Sequence, residues 1–184
     1  MATAVAAPPI TVEQYLGFEG YPGLKDELIN GRIVLSPQPK PHHQQVVKNI
    51  FMLLLKAFEG SAFEVQMNSN IKFAAANSMP APDIFVVTRG AWRGAIQGDV
   101  YLEEPPLIVV EVLSQSNRKG RVEEKAAIYL ENGVSHVWTA SPKHRRLCTH
   151  RVESGNVVEE QVDRITVSGP VAFSISADDV FRLD

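Results

Sequence analysis

The seven residues from Leu107 to Leu113, LIVVEVL, constrain the fold of this chain more than any other stretch. Six of them are aliphatic, and an apolar run without alternation is what a central strand covered on both faces carries. RVEEKAAIYLENG follows, rich in helix formers, with Gly133 placed just past a helix C-terminus. VSHVWTA (Val134 to Ala140) reads as a second strand. Strand, helix and strand in that order predict a parallel crossover. The exception in the run is Glu111. An ionised carboxylate in a central strand is costly unless water, a cationic side chain or a metal ion compensates it. All three accounts fit Glu111, although Val112 and Leu113 continue the apolar run beyond it and weigh against a solvated strand end.

The remaining elements follow from local pattern. DELINGRIVL carries Asn30-Gly31 between two extended arms, and a type I′ hairpin turn needs positive φ at both central residues. His43, Val46, Val47, Ile50 and Leu54 recur at helical spacing, which predicts a helix from His43 to about Phe58. Phe63, Val65, Met67, Ile71 and Phe73 alternate with other residues as in a half-buried strand. DIFVV (Asp83 to Val87) is a short apolar strand, followed by a loop around Gly90, Gly94 and Gly98. Trp92 in that loop either anchors it or stacks a base. RRLCTHRVESGNVVEEQV is a hairpin turning near Ser154-Gly155-Asn156, and ADDVFRL begins a terminal helix capped near Ser176. The expectation is an α/β fold: a mixed β-sheet flanked by helices, with an N-terminal and a C-terminal β-hairpin. One domain over residues 11–184 would follow a loose tail over residues 1–10.

Composition narrows the function. Lys plus Arg number 18 and Asp plus Glu 21, a net charge of −3, so no overall basic field marks a nucleic-acid partner. A polyanion binder built from this chain must concentrate its positive charge, and NRKGR (Asn117 to Arg121) and KHRR (Lys143 to Arg146) are the two clusters. KHRR is the commoner pattern of a soluble turn. Cys148, the single cysteine, leaves no internal disulfide and suits a reducing compartment, so a cytoplasmic location is expected. No apolar run approaches the roughly 18 residues of a membrane span.

Two further residues stand out. APDIFVV places Asp83 at the mouth of a short buried strand, where a strand-start aspartate is common. If Asp83 and Glu111 met, they would suit a hard, oxygen-seeking cation such as Mg²⁺. Lys125 lies on one helix face with Arg121 and Tyr129, each four residues apart. A solvated face is the simple account. An ammonium aimed at two carboxylates would instead orient a water and offset charge on a phosphate.

Pro82-Asp83, IVVEVLS and EEKAAIYLENGV, with DELINGRIVLSP and the following HHQ, resemble the Uma-two family of restriction-endonuclease-like proteins, within the PD-(D/E)XK nuclease superfamily. The resemblance spans Asp26 to Pro142 and implies a restriction-endonuclease-like core. It implies that Asp83 and Glu111 bind one or two Mg²⁺ ions, or Mn²⁺ as a substitute, with the backbone carbonyl of Val112 as a further ligand. The superfamily lysine usually lies two residues after the glutamate, where this chain has Leu113. In the Uma-two family it has moved to the following helix, at the position of Lys125. The implied activity is metal-dependent hydrolysis of phosphodiester bonds in DNA. The alternative is an inactive nuclease-fold module that binds nucleic acid or a partner protein.

Glu27 and His43 fall at positions the family keeps and are second-rank candidates. A plain surface glutamate accounts for the first as well, and a core histidine accounts for the second. Arg118, Lys119 and Arg121 would hold the phosphate backbone. Two departures from the family pattern stand beside these matches. Arg121 replaces an acidic residue, and Ser141-Pro142 stands where Asp-Pro is frequent. Enzymes that cut both strands are often dimers, which adds a homodimer to the expected partners.

Overall fold

In the computed structural model, which describes residues 8–20, 22–114 and 119–183, the apolar run becomes β5 (Ile108–Val112) of a six-stranded sheet. Its other strands are β3 (Phe63–Met67), β4 (Ile84–Thr88), β6 (His136–Ser141), β7 (Arg146–Glu153) and β8 (Asn156–Val162), side by side in chain order. Neighbours are antiparallel except β5 and β6, which run parallel because α4 (Lys119–Glu131) carries the chain back over the sheet. The predicted crossover is therefore present.

Alternation along the strands sorts the core into two layers. Ile84 and Val86, with Ile108, Val110 and Val112, face α2 (Pro41–Ala57) through Val46, Val47, Ile50 and Leu54. Phe85, Val87, Val109 and Val137 face α4 through Ala126, Ile128 and Tyr129. Ile108, Val109 and Val110 are fully buried, and each such side chain contributes roughly 1.5–3 kcal/mol of hydrophobic stabilisation. A hairpin of β9 (Arg164–Val167) and β10 (Phe173–Ser176), then α5 (Ala177–Phe181), closes the α2 layer with Ile165, Ile175 and Phe181. Ser176 caps α5 by accepting from the Asp179 amide, as its sequence predicts. Among the described residues no helix is long and apolar enough to cross a membrane.

Three elements depart from the sequence reading. Residues 89–98 form not a loop but a helix, α3 (Arg89–Gly98), with Thr88 accepting from the Ala91 amide as its cap. Gly90, Gly94 and Gly98 lie on its exposed side, while Trp92 packs edge-on against Phe85 at 5.7 Å. Trp92 is thus a packing residue. The strand predicted through Phe73 ends at Met67, because Asn68 takes a positive φ of 53°. Ile71 and Phe73 stay buried through isolated bridges to Leu102 and Ser78. Finally, α1 (Val12–Leu16) lies close to the N-terminus and starts from a capping box between Thr11 and Gln14.

The hairpin of β1 (Leu24–Ile29) and β2 (Arg32–Pro37) turns at Asn30 and Gly31, with φ of 48° and 71°. Its tip is held from two directions. The Ile10 amide donates to the Gly31 carbonyl at 2.9 Å, and the Asn77 side chain donates to the Ile10 carbonyl at 2.8 Å. On the other side Glu124 of α4 accepts from Asn30 Nδ2 at 2.9 Å and pairs with Arg32. A Cβ on Gly31 would lie 2.5 Å from Pro9 Cβ and 2.8 Å from Asn77 Nδ2. Gly155 has a similar φ of 77° and open space around it. Gly155→Ala should therefore cost about 1–2 kcal/mol from backbone strain alone. Gly31→Ala should cost roughly 2–4 kcal/mol, strain plus overlap. Urea unfolding of both variants checks the difference, and equal losses would show that the hairpin tip is not tightly packed.

Candidate functional site

The site is generated by strand register. β4 and β5 pair Ile84 with Val110 and Phe85 with Val109. The same register continued by one residue sets Asp83 opposite Glu111. Side-chain alternation turns Glu111 toward the α4 layer, with Val109, while the Asp83 carboxylate at the strand end reaches the β5 backbone and His43 of α2. The ladder is completed by the acid itself, since the Val112 amide donates to Asp83 Oδ2 at 2.7 Å.

Helix α4 brings its four-residue spacing over these acids. Lys125 Nζ lies 2.6 Å from Glu111 Oε1 and 2.8 Å from Glu27 Oε1. One turn later the Tyr129 hydroxyl donates to Glu111 Oε1 at 2.7 Å. Of the three accounts of Glu111, the structure shows a paired carboxylate near the end of a buried strand, on the wall of a cavity.

Glu27 is only 5% exposed, so it is not a surface glutamate. It also accepts the Ala81 amide at 2.7 Å. Two residues earlier on the same strand, Lys25 donates to the Ala81 carbonyl at 2.6 Å and stands 4.0 Å from Asp83 Oδ1. His43, in the first turn of α2, points inward as predicted. Its Nε2 lies 3.4 Å from Asp83 Oδ2, and its Nδ1 is buried with no hydrogen-bond partner among the described residues. The expected satisfied core histidine is thus half satisfied, and it faces the acid.

Burial and charge push the two strand acids apart. Burial raises the Glu111 carboxyl above the ordinary range. Lys125 opposes that shift, while Asp83 and Glu27 add to it. Burial also acts upward on Asp83, but the His43 hydrogen bond, the Lys25 charge and the Val112 amide together hold it below the ordinary range. Lys125 is held above the ordinary lysine value because Glu111 and Glu27 outweigh the cost of its burial. Two neighbouring acids with opposite shifts are a recurrent feature of catalytic pairs.

A cavity of about 1230 Å³ opens over this network and is lined by Lys25, His43, Asp83, Glu111 and Lys125. Exposed Arg121 lies on its wall. Arg118 lies outside the described residues, and Lys119 opens α4. The turn expected to be a mere soluble loop, KHRR, contributes Lys143, His144 and Arg146 to the same cavity. Lys25 and this turn are among the cavity residues to which sequence reasoning assigned no site role. Lys25 carried a usable signal, its two-residue offset from Glu27 in one hairpin arm.

The donor chemistry fits a hard divalent ion. Asp83 and Glu111 offer carboxylate oxygens on one wall, with Val112 beside them. Among the described residues no group of three or more His, Cys, Asp or Glu side chains is placed to share an ion. Mg²⁺ commonly binds through one or two carboxylates and keeps several waters, so a two-carboxylate set suits it.

The described elements make a mixed α/β fold, a six-stranded sheet flanked by helices. The chain belongs to the Uma2 family, whose model, described as "Putative restriction endonuclease", matches residues 12–178. A solved structure described as "a putative nuclease belonging to DUF820" from Anabaena variabilis ATCC 29413 is similar, with a TM-score of 0.76 and 18% identity over 94% of this chain and 98% of that one. At that identity the likeness establishes the fold. No curated protein matches the chain.

The network makes a sharp stability prediction. Lys125→Met would leave Glu27 and Glu111 facing each other without their cation, and should cost roughly 3–5 kcal/mol, the size expected for breaking a buried pair. Combining it with Glu27→Gln removes one of the stranded charges and should recover much of the loss. Urea unfolding followed by tryptophan fluorescence measures both, and a fully stable single variant would mean that solvent already screens the pair.

Proposed function

We propose that the protein is a metal-dependent endonuclease that hydrolyses phosphodiester bonds in DNA. The observation that carries this reading is the convergence of Asp83, Glu111 and Lys125 on one cavity wall. Membership of a family described as "Putative restriction endonuclease" supports the same class of chemistry. Asp83 and Glu111, with the Val112 carbonyl, would hold Mg²⁺ or, in its place, Mn²⁺. A divalent ion there acidifies water and stabilises charge on the phosphoryl group.

The chain's own residues set the stage for that step. The Val112 amide and His43 fix the orientation of Asp83. Tyr129 and Lys125 fix that of Glu111. Lys125 adds a positive charge close to where negative charge grows in the transition state, and orients the attacking water. Glu27 holds Lys125 against the wall. Arg121, Lys143 and Arg146 on the cavity wall supply local positive charge for a phosphate backbone despite the net charge of −3. The cavity exceeds the roughly 300–1,000 Å³ of small-molecule sites, in keeping with a polymer substrate. A homodimer acting on both strands and a cytoplasmic location, where buried Cys148 stays reduced, complete the reading.

The second reading, a nuclease-fold module that binds nucleic acid or a partner protein without turnover, draws support from Glu111 Oε1, which already carries both Lys125 and Tyr129. Incubation with supercoiled DNA, linear DNA and RNA, with and without Mg²⁺ or Mn²⁺, separates the two. The endonuclease reading expects ion-dependent cleavage of DNA. Asp83→Asn and Glu111→Gln should each reduce it by at least about a hundredfold without loss of folding, since each removes a charge while keeping shape. Binding without cleavage under every condition would favour the inactive module.

A further inference from the structure

We infer that Lys25 is the phosphate-binding cation next to the acids, the residue that grips a nucleic-acid phosphodiester beside Asp83. The inference rests on the proposed nucleic-acid substrate but not on turnover.

The cavity holds two ammonium groups close to the acids, and their surroundings differ. Two donors of Lys125 face carboxylates, Glu111 Oε1 at 2.6 Å and Glu27 Oε1 at 2.8 Å, which leaves one for a water, and its side chain is 12% exposed. Lys25 is 30% exposed. An ammonium has three N–H donors. One of those on Lys25 goes to the Ala81 carbonyl at 2.6 Å. Asp83 Oδ1, at 4.0 Å, is beyond hydrogen-bonding distance. Among the described residues no other side chain or carbonyl takes the two remaining donors. They stand in the cavity, next to the acid proposed to hold the metal.

The placement is built rather than incidental. Lys25 and Glu27 share one face of β1, and both hold Ala81, one through its carbonyl and one through its amide. Ala81 immediately precedes Pro82-Asp83, so the hairpin arm and the acid-bearing segment are fixed to one another. A phosphate oxygen that approaches Asp83 therefore meets an ammonium already held in place, with little ordering left to do. Free phosphate shares this chemistry, and the experiment separates it from the polymer.

Binding of a labelled DNA duplex is measured by fluorescence anisotropy in EDTA across a range of NaCl, for wild type, Lys25→Met and Lys25→Arg. Lys25→Gln retains a donor for the Ala81 carbonyl and replaces the Met variant if that fails to fold. Loss of the charge should weaken binding roughly ten- to a hundredfold, the size of a hydrogen bond to a charged group, and lower the salt slope by about one. Lys25→Arg should restore most of the affinity. Calorimetry with inorganic phosphate should detect weak binding that Lys25→Met abolishes. Equal affinity and salt slope in wild type and Lys25→Met would overturn the inference, even if both cut DNA. The expected binding difference with no cleavage in Mg²⁺ or Mn²⁺ would uphold Lys25 and defeat the endonuclease reading. Lys25-dependent binding of phosphate with none of DNA would overturn the nucleic-acid assignment.

Discussion

One ammonium group joins the three parts of this molecule. Lys125 Nζ touches Glu111 from the central strand and Glu27 from the N-terminal hairpin, while its own backbone belongs to the crossover helix. None of the three charges is tolerable alone at that depth, because taking an ion out of water costs several kcal/mol. Their mutual presence lets a polar network occupy what the strand pattern marks as core. Tyr129 extends the arrangement by giving Glu111 a second donor from the same helix face.

The site also depends on how two strands are aligned. A slip of one residue between β4 and β5 would put the two acids on different pairing positions and separate them. The alignment is enforced by apolar packing, with Ile84, Val86 and Val110 on one face and Phe85 and Val109 on the other, all fully buried. Core packing thus sets the geometry of the polar site, and the Asp83 carboxylate returns the support by accepting the Val112 amide at the end of the ladder.

Much of this was legible in the sequence, for identifiable reasons. The apolar run, the Asn30-Gly31 turn and the Gly133 stop are local signals, and each appears as an element where it was expected. Asp83 and Glu111 could be picked out as acids against an apolar pattern, whereas the spacing of Lys125 suited a solvated helix face and the family resemblance singled it out. Their convergence could not, since it depends on register and on a hairpin distant in sequence. Glu27 illustrates the gap: alone it is an ordinary glutamate beside a leucine, and the Lys125 contact and the Ala81 amide, both distant in sequence, explain its burial. The α3 helix failed in the opposite direction. Glycines argue for a loop, but those at 90, 94 and 98 lie on its solvent side, while the Thr88 cap and the Trp92 contact with Phe85 hold the helix in place.

The hairpin tip binds α4 through Glu124, and the hairpin arm binds it through the very next residue, Lys125. Consecutive residues of a helix point about 100° apart, so these two attachments resist both sliding and rotation of α4 against the hairpin. Any hinge that widens the cavity must then lie outside this pair. The hairpin and the crossover helix would swing as one rigid body, carrying Lys25 with them.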